Sequence, residues 1–370
     1  MGLHQDLLTL ASRHETGISF AEFMRSALYH PEEGYYAAPK PIGRGGDFFT
    51  SVSVGPCFAF LLARHILNIR AALFPDTSMD VVEQGAHDGQ LSADLLTQTS
   101  PPAAWSHHIV EPNPRFREVQ SARLGESARI VPSLADTSPL QGVFLCNELL
   151  DAFPVRRLRF EKGRWREIRV VAASGRLSEA TFDLPFPATG RWTWLPIEAT
   201  PGFETEVCEE IGPWLDELTA AMPRGVALMI DYGGTAAESL LPERADGSVR
   251  GYREHRRVQD PLESPGQVDL TADVNFTHVW LEAKDRGWNL IGFADQAQFL
   301  TGIAAGFPDP EQFPASLRRQ FHTLIHPGFM GRRFRVMALG RGFPEDLKLD
   351  GFQFSETARQ SLLQTPGSCR

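Results

Sequence analysis

Short apolar runs recur along the chain, and four of them end in polar turns that carry acids, amides or glycines. Val81-Val82 runs into Glu83-Gln84-Gly85-Ala86-His87-Asp88-Gly89-Gln90, and His107-His108-Ile109-Val110 runs into Glu111. Residues 142–146 precede Asn147-Glu148, and residues 227–230 precede Asp231-Tyr232-Gly233-Gly234. Runs of this kind read as strands buried on both faces of a parallel sheet, with the polar ends at the carboxyl edge where ligands bind. Residues 91–96 carry helical spacing between the first two runs. The resulting unit of strand, loop, helix, strand and acid predicts an α/β, Rossmann-like, doubly wound sheet.

Other periods surround this core. Residues 18–28 place apolar side chains at helical spacing before Tyr29-His30-Pro31 stops the helix, and residues 56–73 read as a second amphipathic helix. The loop between them, to about Ser53, holds Gly43, Gly45, Gly46 and several aromatics, too many for a plain surface connection. Runs 155–160 and 165–172 flank Glu161-Lys162-Gly163-Arg164, a hairpin signal, and run 176–182 adds a third strand. The pattern predicts an N-terminal helical segment with a Gly-rich lid over 1–75, a core over 76–155 and 221–345, and a β-rich insertion over 156–220. That insertion is expected to wall a substrate cleft and to offer an edge for a homodimer. A last strand is expected at 334–339, and 346–370 reads as a loosely held tail.

The first glycine loop carries the chemistry. Glycines at 85 and 89 permit backbone angles closed to other residues, and a carboxylate at Glu111 is placed to accept both hydroxyls of a ribose. Glu83 and Asp88 bracket the turn, and residues 81–91 contain no Lys or Arg. Two acids this close disfavour a pyrophosphate by roughly a few kcal/mol at partial exposure. S-adenosylmethionine has no phosphate and carries a sulfonium and an ammonium, so the loop favours it over NAD, ATP or FAD.

Composition narrows the setting. The chain has 370 residues, 42% hydrophobic, with a net charge of −10, which argues against general binding to nucleic acid or anionic membrane. Cys57, Cys146, Cys208 and Cys369 are scattered, suggesting neither a zinc site nor a disulfide scaffold. The first residues lack the basic flank and apolar core of a signal peptide, and no 18-residue uncharged apolar run suggests a membrane span. A cytosolic location is the expectation from these features.

Several motifs occur together and in order. They are Phe23-Met24-Arg25-Ser26-Ala27-Leu28 with Gly34-Tyr35-Tyr36, Gly46-Asp47-Phe48-Phe49-Thr50-Ser51, the glycine loop, and Asn147-Glu148-Leu149-Leu150-Asp151-Ala152-Phe153-Pro154-Val155. Ile230-Asp231-Tyr232-Gly233, the segment 265–276 and Gln296-Ala297-Gln298-Phe299-Leu300 continue the series. Over roughly residues 20–340 the chain resembles the MidA family of S-adenosylmethionine-dependent methyltransferases. Mitochondrial members of that family assist respiratory complex I assembly as protein arginine methyltransferases. The resemblance implies a class I methyltransferase-like fold and a protein substrate or assembly partner, such as a respiratory complex subunit.

It also implies site roles. Gly46, Asp47, Phe48 and Thr50 would close over the cofactor, Glu83, Gly85, Gly89 and Gln90 would surround its methionine portion, and Glu111 would hold its ribose. Asn147 and Glu148 would lie beside the sulfonium. Glu148 and Asp151, three positions apart, would form an acid fork for a guanidinium if that segment begins a helix. Asp151 as a structural cap is the alternative, and Asp231 is as readily a turn residue as a functional one. His255 is a candidate for proton transfer and equally for a structural role. The family pattern has glycine where this chain has His87, whose side chain is expected to crowd the methionine portion unless the loop bends away. Two other functions stay open: a cofactor-binding assembly factor without catalysis, and a methyltransferase for small molecules.

Overall fold

The apolar runs form the centre of an eight-stranded sheet in a computed structural model that describes residues 2–38, 50–98, 105–137, 139–254, 256–307 and 313–363. Seven strands are β1 (Asp80–Gln84), β2 (Ser106–Val110), β3 (Arg129–Val131), β4 (Gln141–Asn147), β5 (Arg224–Gly234), β6 (Asn289–Asp295) and β7 (Phe334–Arg341). Their order across the sheet is β6-β7-β5-β4-β1-β2-β3, and the short strand Val274–Asn275 pairs with the end of β5. Strands β1 to β5 pair in parallel, while β7 runs antiparallel to both β5 and β6. This order, with β7 inserted antiparallel, is the class I methyltransferase arrangement that the resemblance implies. The runs that become β3 and β6 do not stand out in the apolar pattern. The structure adds them as the two ends of that strand order.

Alternation explains why the strands read as continuous apolar runs. Val81, Val143, Leu145, Val226, Leu228, Val336 and Ala338 enter one hydrophobic cluster, and Val82, Phe144, Cys146, Ala227, Met229, Met337 and Leu339 enter the other. Both faces are therefore covered. The helices α3 (Cys57–Leu73) and α4 (Gln90–Thr97) pack on the first face. Helix α6 (Ile211–Ala221) packs on the second through Trp214, Leu215 and Leu218, so the latter part of the 156–220 segment serves the core. Each fully buried Leu or Phe here contributes about 1.5–3 kcal/mol of transfer free energy.

A second sheet lies on the insertion. Arg164–Ala173 pairs antiparallel with Arg156–Glu161 and with Arg176–Asp183, and Arg156–Glu161 pairs with Glu204–Val207. The hairpin at Lys162-Gly163 takes positive φ at both residues, 53° and 73°, the geometry that matches strand twist. Ile18–Ser19, expected as the start of a helix, instead pairs with Val170 and Arg169. Ser19 then caps α2 (Phe20–Tyr29) in a reciprocal box with Glu22, so the N-terminal segment, after α1 (Leu3–Ser12), is stitched to the insertion.

The C-terminal segment is held more firmly than expected. Leu349 and Phe352 enter the first-face cluster, and Leu362, on the helix Glu356–Leu363, enters the second. The Asp350 carboxylate accepts from Asn68 Nδ2 at 2.6 Å and pairs with the buried His65 on α3.

Candidate active site

Parallel register brings the candidate residues to one edge. Gln84 pairs with Val110 and Cys146, and Asn147 pairs with Ile230, so β1, β2 and β4 end at nearly one level, beside Ile230 of β5, which runs on to Gly234. Glu83, Glu111, Asn147, Glu148 and Asp231 all lie at that carboxyl edge. Gly46, Asp47, Phe48, His255 and Cys369 lie outside the described residues.

The glycine loop turns sharply into α4. Gly85 and Gly89 have φ of 81° and 79°, and Gly89 is the helix N-cap. A Cβ on Gly85 would sit a tight 3.1 Å from the end of the Leu149 side chain, and the positive φ is the main reason for glycine there. His87 also takes positive φ, 47°, the backbone shape a glycine would have. Its ring packs edge-on against Phe116 at 5.2 Å, and its carbonyl accepts from Gln120 Nε2 at 2.8 Å. The side chain thus turns toward α5 (Pro114–Leu124). Replacing His87 by glycine is therefore expected to change cofactor affinity by less than about threefold, as read by calorimetry. A tenfold tightening would show that the ring occupies cofactor space.

Glu111 is held from two sides. Its carboxylate accepts from the Asn113 N–H at 2.8 Å and from Gln120 Nε2 at 3.4 Å, and burial raises its pKa. Gln120 thereby ties the glycine loop to the candidate ribose acid. Sequence reading missed it, although Phe116, Gln120 and Leu124 share one helical face and all are buried. A lone amide between two core positions was the available signal.

The other candidates differ in exposure and use. Glu83 is 2% exposed, its carboxylate accepts from Ser92 Oγ, and burial pushes it up to about 7 against the pull of that hydrogen bond. Gln90 donates to Asp94 Oδ1 at 2.8 Å and accepts from Arg123. Thr50 is engaged locally, its hydroxyl accepting from the Ser53 N–H at 3.2 Å.

Glu148 sits in a strained backbone position, φ 54°, with its N–H bonded to Ile230 O at 2.9 Å. A non-glycine residue there costs about 1–3 kcal/mol, a pattern concentrated at functional sites. Asn147 Nδ2 donates to its carboxylate at 3.1 Å, and the Ser51 N–H also reaches it. Burial, then the neighbouring Asp151, pushes Glu148 up to about 8. Ser51 is fixed in turn by donating to Gln296 Oε1 at 2.9 Å, while Gln296 Nε2 donates to Leu324 O at 3.0 Å. Gln296 belonged to a quoted motif, but nothing in the sequence linked it to Glu148.

The helical fork does not form. Residues Leu150–Ala152 make one 3-10 turn, and Glu148 lies outside it in the left-handed region. Asp151 is instead bonded by Tyr232 Oη and by Thr271 Oγ1, the latter at 2.8 Å. Asp231 is 1% exposed and accepts the N–H groups of Leu150, Asp151 and Tyr232 at 2.9, 3.2 and 2.9 Å. Burial and the carboxylates of Asp151 and Glu148 raise it well above the usual range, against those three donors. Nearby, Tyr36 Oη donates to Asp269 at 3.1 Å, and the Tyr29 and Tyr36 rings stack at 5.7 Å. Acids and phenols from four chain segments therefore converge beside the strand ends.

The residues present suit S-adenosylmethionine. Asn147 Oδ1 and Gln120 Oε1 are buried acceptors without a partner among the described residues, and Glu83 and Glu111 add acceptors on either side of a glycine loop that no Cβ obstructs. Such a donor-seeking set matches a ligand that offers an ammonium and ribose hydroxyls.

Fold and site define a class I methyltransferase. The chain belongs to the family described as "Putative S-adenosyl-L-methionine-dependent methyltransferase", whose model matches residues 61–294. S-adenosylmethionine is accordingly its cofactor. Among solved structures, a Burkholderia thailandensis protein bound to S-adenosyl-homocysteine superposes with a TM-score of 0.82 at 29% identity, covering 95% of each chain. Among curated relatives, the "Protein arginine methyltransferase NDUFAF7, mitochondrial" of Xenopus tropicalis is 30% identical over 87% of this chain and 82% of its own length. The Homo sapiens protein of the same name is 28% identical over 93% of this chain and 84% of its own length. The mitochondrial names of these relatives overturn the cytosolic expectation, which rested on composition and terminal residues alone. Among the described residues, no helix is long and apolar enough to cross a membrane.

Proposed function

We propose that the chain transfers the methyl group of S-adenosylmethionine to the guanidinium of an arginine on a partner protein. The observation that carries this reading is the convergence of Glu148, Asp151, Asp231 and Asp269 with Tyr36 and Tyr232 at the strand ends beside the glycine loop. A guanidinium keeps its charge at any accessible pH and offers five donors, which such a set of acceptors binds and orients. The names of the curated relatives support the same acceptor class. The resemblance of the motifs makes a respiratory complex subunit the candidate partner.

In this reading Glu111 and Gln120 hold the ribose, and Asn147, Glu83 and the loop of Gly85 and Gly89 hold the methionine portion. When bound, the cofactor supplies an electrophilic methyl group on sulfur. Glu148 aligns the attacking nitrogen, and its carboxylate balances the extra positive charge of the methylated guanidinium until the surplus proton passes to it or to water. Asp151, Tyr232 and Thr271 keep the neighbouring wall rigid, and the Ser51 to Gln296 contact holds the mouth of the site in place. Alignment and exclusion of water are the main contributions an enzyme makes to such an in-line displacement.

Incubating the protein with methyl-labelled cofactor and an extract of cells lacking it tests the acceptor. The expected result is label on one or a few proteins, released as methylarginine after hydrolysis. Label confined to small molecules would reject a protein acceptor, and no label above that of a boiled control would favour a non-catalytic assembly factor.

A further inference from the structure

Beneath the glycine loop lies a chain of buried polar side chains that the steps above do not use. Trp105 Nε1 and His107 Nδ1 are 3.1 Å apart, and His107 Nε2 and Ser92 Oγ are 2.7 Å apart. Ser92 Oγ in turn donates to Glu83 Oε2. Trp105 and His107 are each 4% exposed and Ser92 is 0%, so protein groups alone must satisfy them.

The direction of the chain follows from its first member. An indole N–H can only donate, so His107 Nδ1 must accept. The imidazole is then neutral with its proton on Nε2, which donates to Ser92, and the serine proton is left to point at Glu83. Burial pushes His107 down to about 3, so this arrangement persists across the working pH range. Every donor along the relay faces the carboxylate, and among the described residues no cation pairs with Glu83. The other titratable groups near Glu83 are Asp88 on the turn and Cys146 on β4, neither of which supplies positive charge.

We infer that Trp105, His107 and Ser92 are positioning residues that hold Glu83 as an anionic acceptor for the cofactor's ammonium and set the pH at which the cofactor is released. This rests on the reading of Glu83 as a cofactor-loop acid. An ionised Glu83 accepts the ammonium, whereas a protonated one presents a competing donor. Affinity should therefore fall as pH drops through the Glu83 titration, near 7 when the site is empty. Removing the Ser92 hydroxyl takes away a contribution that lowers that value, so the fall should begin at higher pH.

The test is the calorimetric Kd of S-adenosyl-homocysteine for the full chain across the pH range from about 5.5 to about 8, where carboxyl groups of this kind titrate. Wild type is expected to lose affinity toward the acid end, and Ser92→Ala to shift the midpoint up by about half a unit or more. His107→Leu, which can neither accept from Trp105 nor donate to Ser92, should shift it likewise. His107→Gln, whose amide does both, should restore the wild-type profile. A purely structural role would lower melting temperature and leave the midpoint in place. Equal midpoints in wild type, Ser92→Ala and His107→Leu would overturn the inference, as would a wild-type Kd that does not vary with pH. If Ser92→Ala does not fold, the two His107 variants decide by the same criterion. Failure of wild type to bind at any pH would count against the cofactor assignment itself.

Discussion

Glu148→Gln is expected to lower the rate of methyl transfer by about two to three orders of magnitude, the usual loss when one preorganised electrostatic contact to a reacting group is removed. The amide keeps the side chain's length and its one oxygen can still accept from Asn147 Nδ2, so the strained turn at φ 54° should survive. Only the negative charge is lost. Cofactor affinity should stay within about threefold, because a charge that acts on the acceptor leaves cofactor binding energy unchanged. Single-turnover kinetics with the labelled acceptor measure the first quantity and calorimetry the second. Equal rates for both proteins would remove Glu148 from the reaction.

The same residue predicts a pH dependence. With Glu148 raised to about 8 by burial and then by Asp151, the carboxyl group is mostly protonated at neutral pH before the acceptor binds. A reaction that needs the anion should quicken as pH rises through that value and then level off, since the guanidinium itself does not titrate there. In Glu148→Gln this limb should vanish. A rate that falls over the same range in wild type would mean that the protonated form is the active one.

Glu111→Ala should weaken cofactor binding by about a hundredfold or more. Two charge-assisted hydrogen bonds to a ribose, at about 1.5–3 kcal/mol each, account for that loss. The substitution also takes one of two acceptors from Gln120, which is fully buried and already has one unpartnered atom, so a lower melting temperature should accompany it. Glu111→Gln separates the two effects by keeping an acceptor while removing the charge. If Kd for S-adenosyl-homocysteine changes by less than about threefold in either variant, the ribose is held elsewhere.

Which parts of this site could be read in advance follows from how local each signal is. The glycine spacing at 85 and 89, the acids at 83, 88 and 111, and the polar ends of the runs at 147 and 231 are properties of short segments, and the structure places all of them at one sheet edge. His87 shows the limit of such reading. Its deviation from the family pattern is visible in the segment, but the direction of its ring is set by a left-handed backbone and by a partner 29 positions away, Phe116. Asp151 shows the reverse: a spacing of three suggested a shared helical face with Glu148, and a 3-10 turn with Tyr232 and Thr271 gave it other partners.

By itself, then, the order of apolar runs, glycines and acids determined a parallel α/β core, its cofactor loop and the family to which the chain belongs, because strand burial and tight turns are written in contiguous residues. Only the tertiary structure decided what each acid is used for. Gln120, Ser51, Gln296, Tyr232, Ser92 and His107 reach the site from α4, β2, α5, the loop before α3, β5 and the start of Gln296–Ala305. Their contacts join positions up to 245 residues apart, where packing alone determines which groups meet.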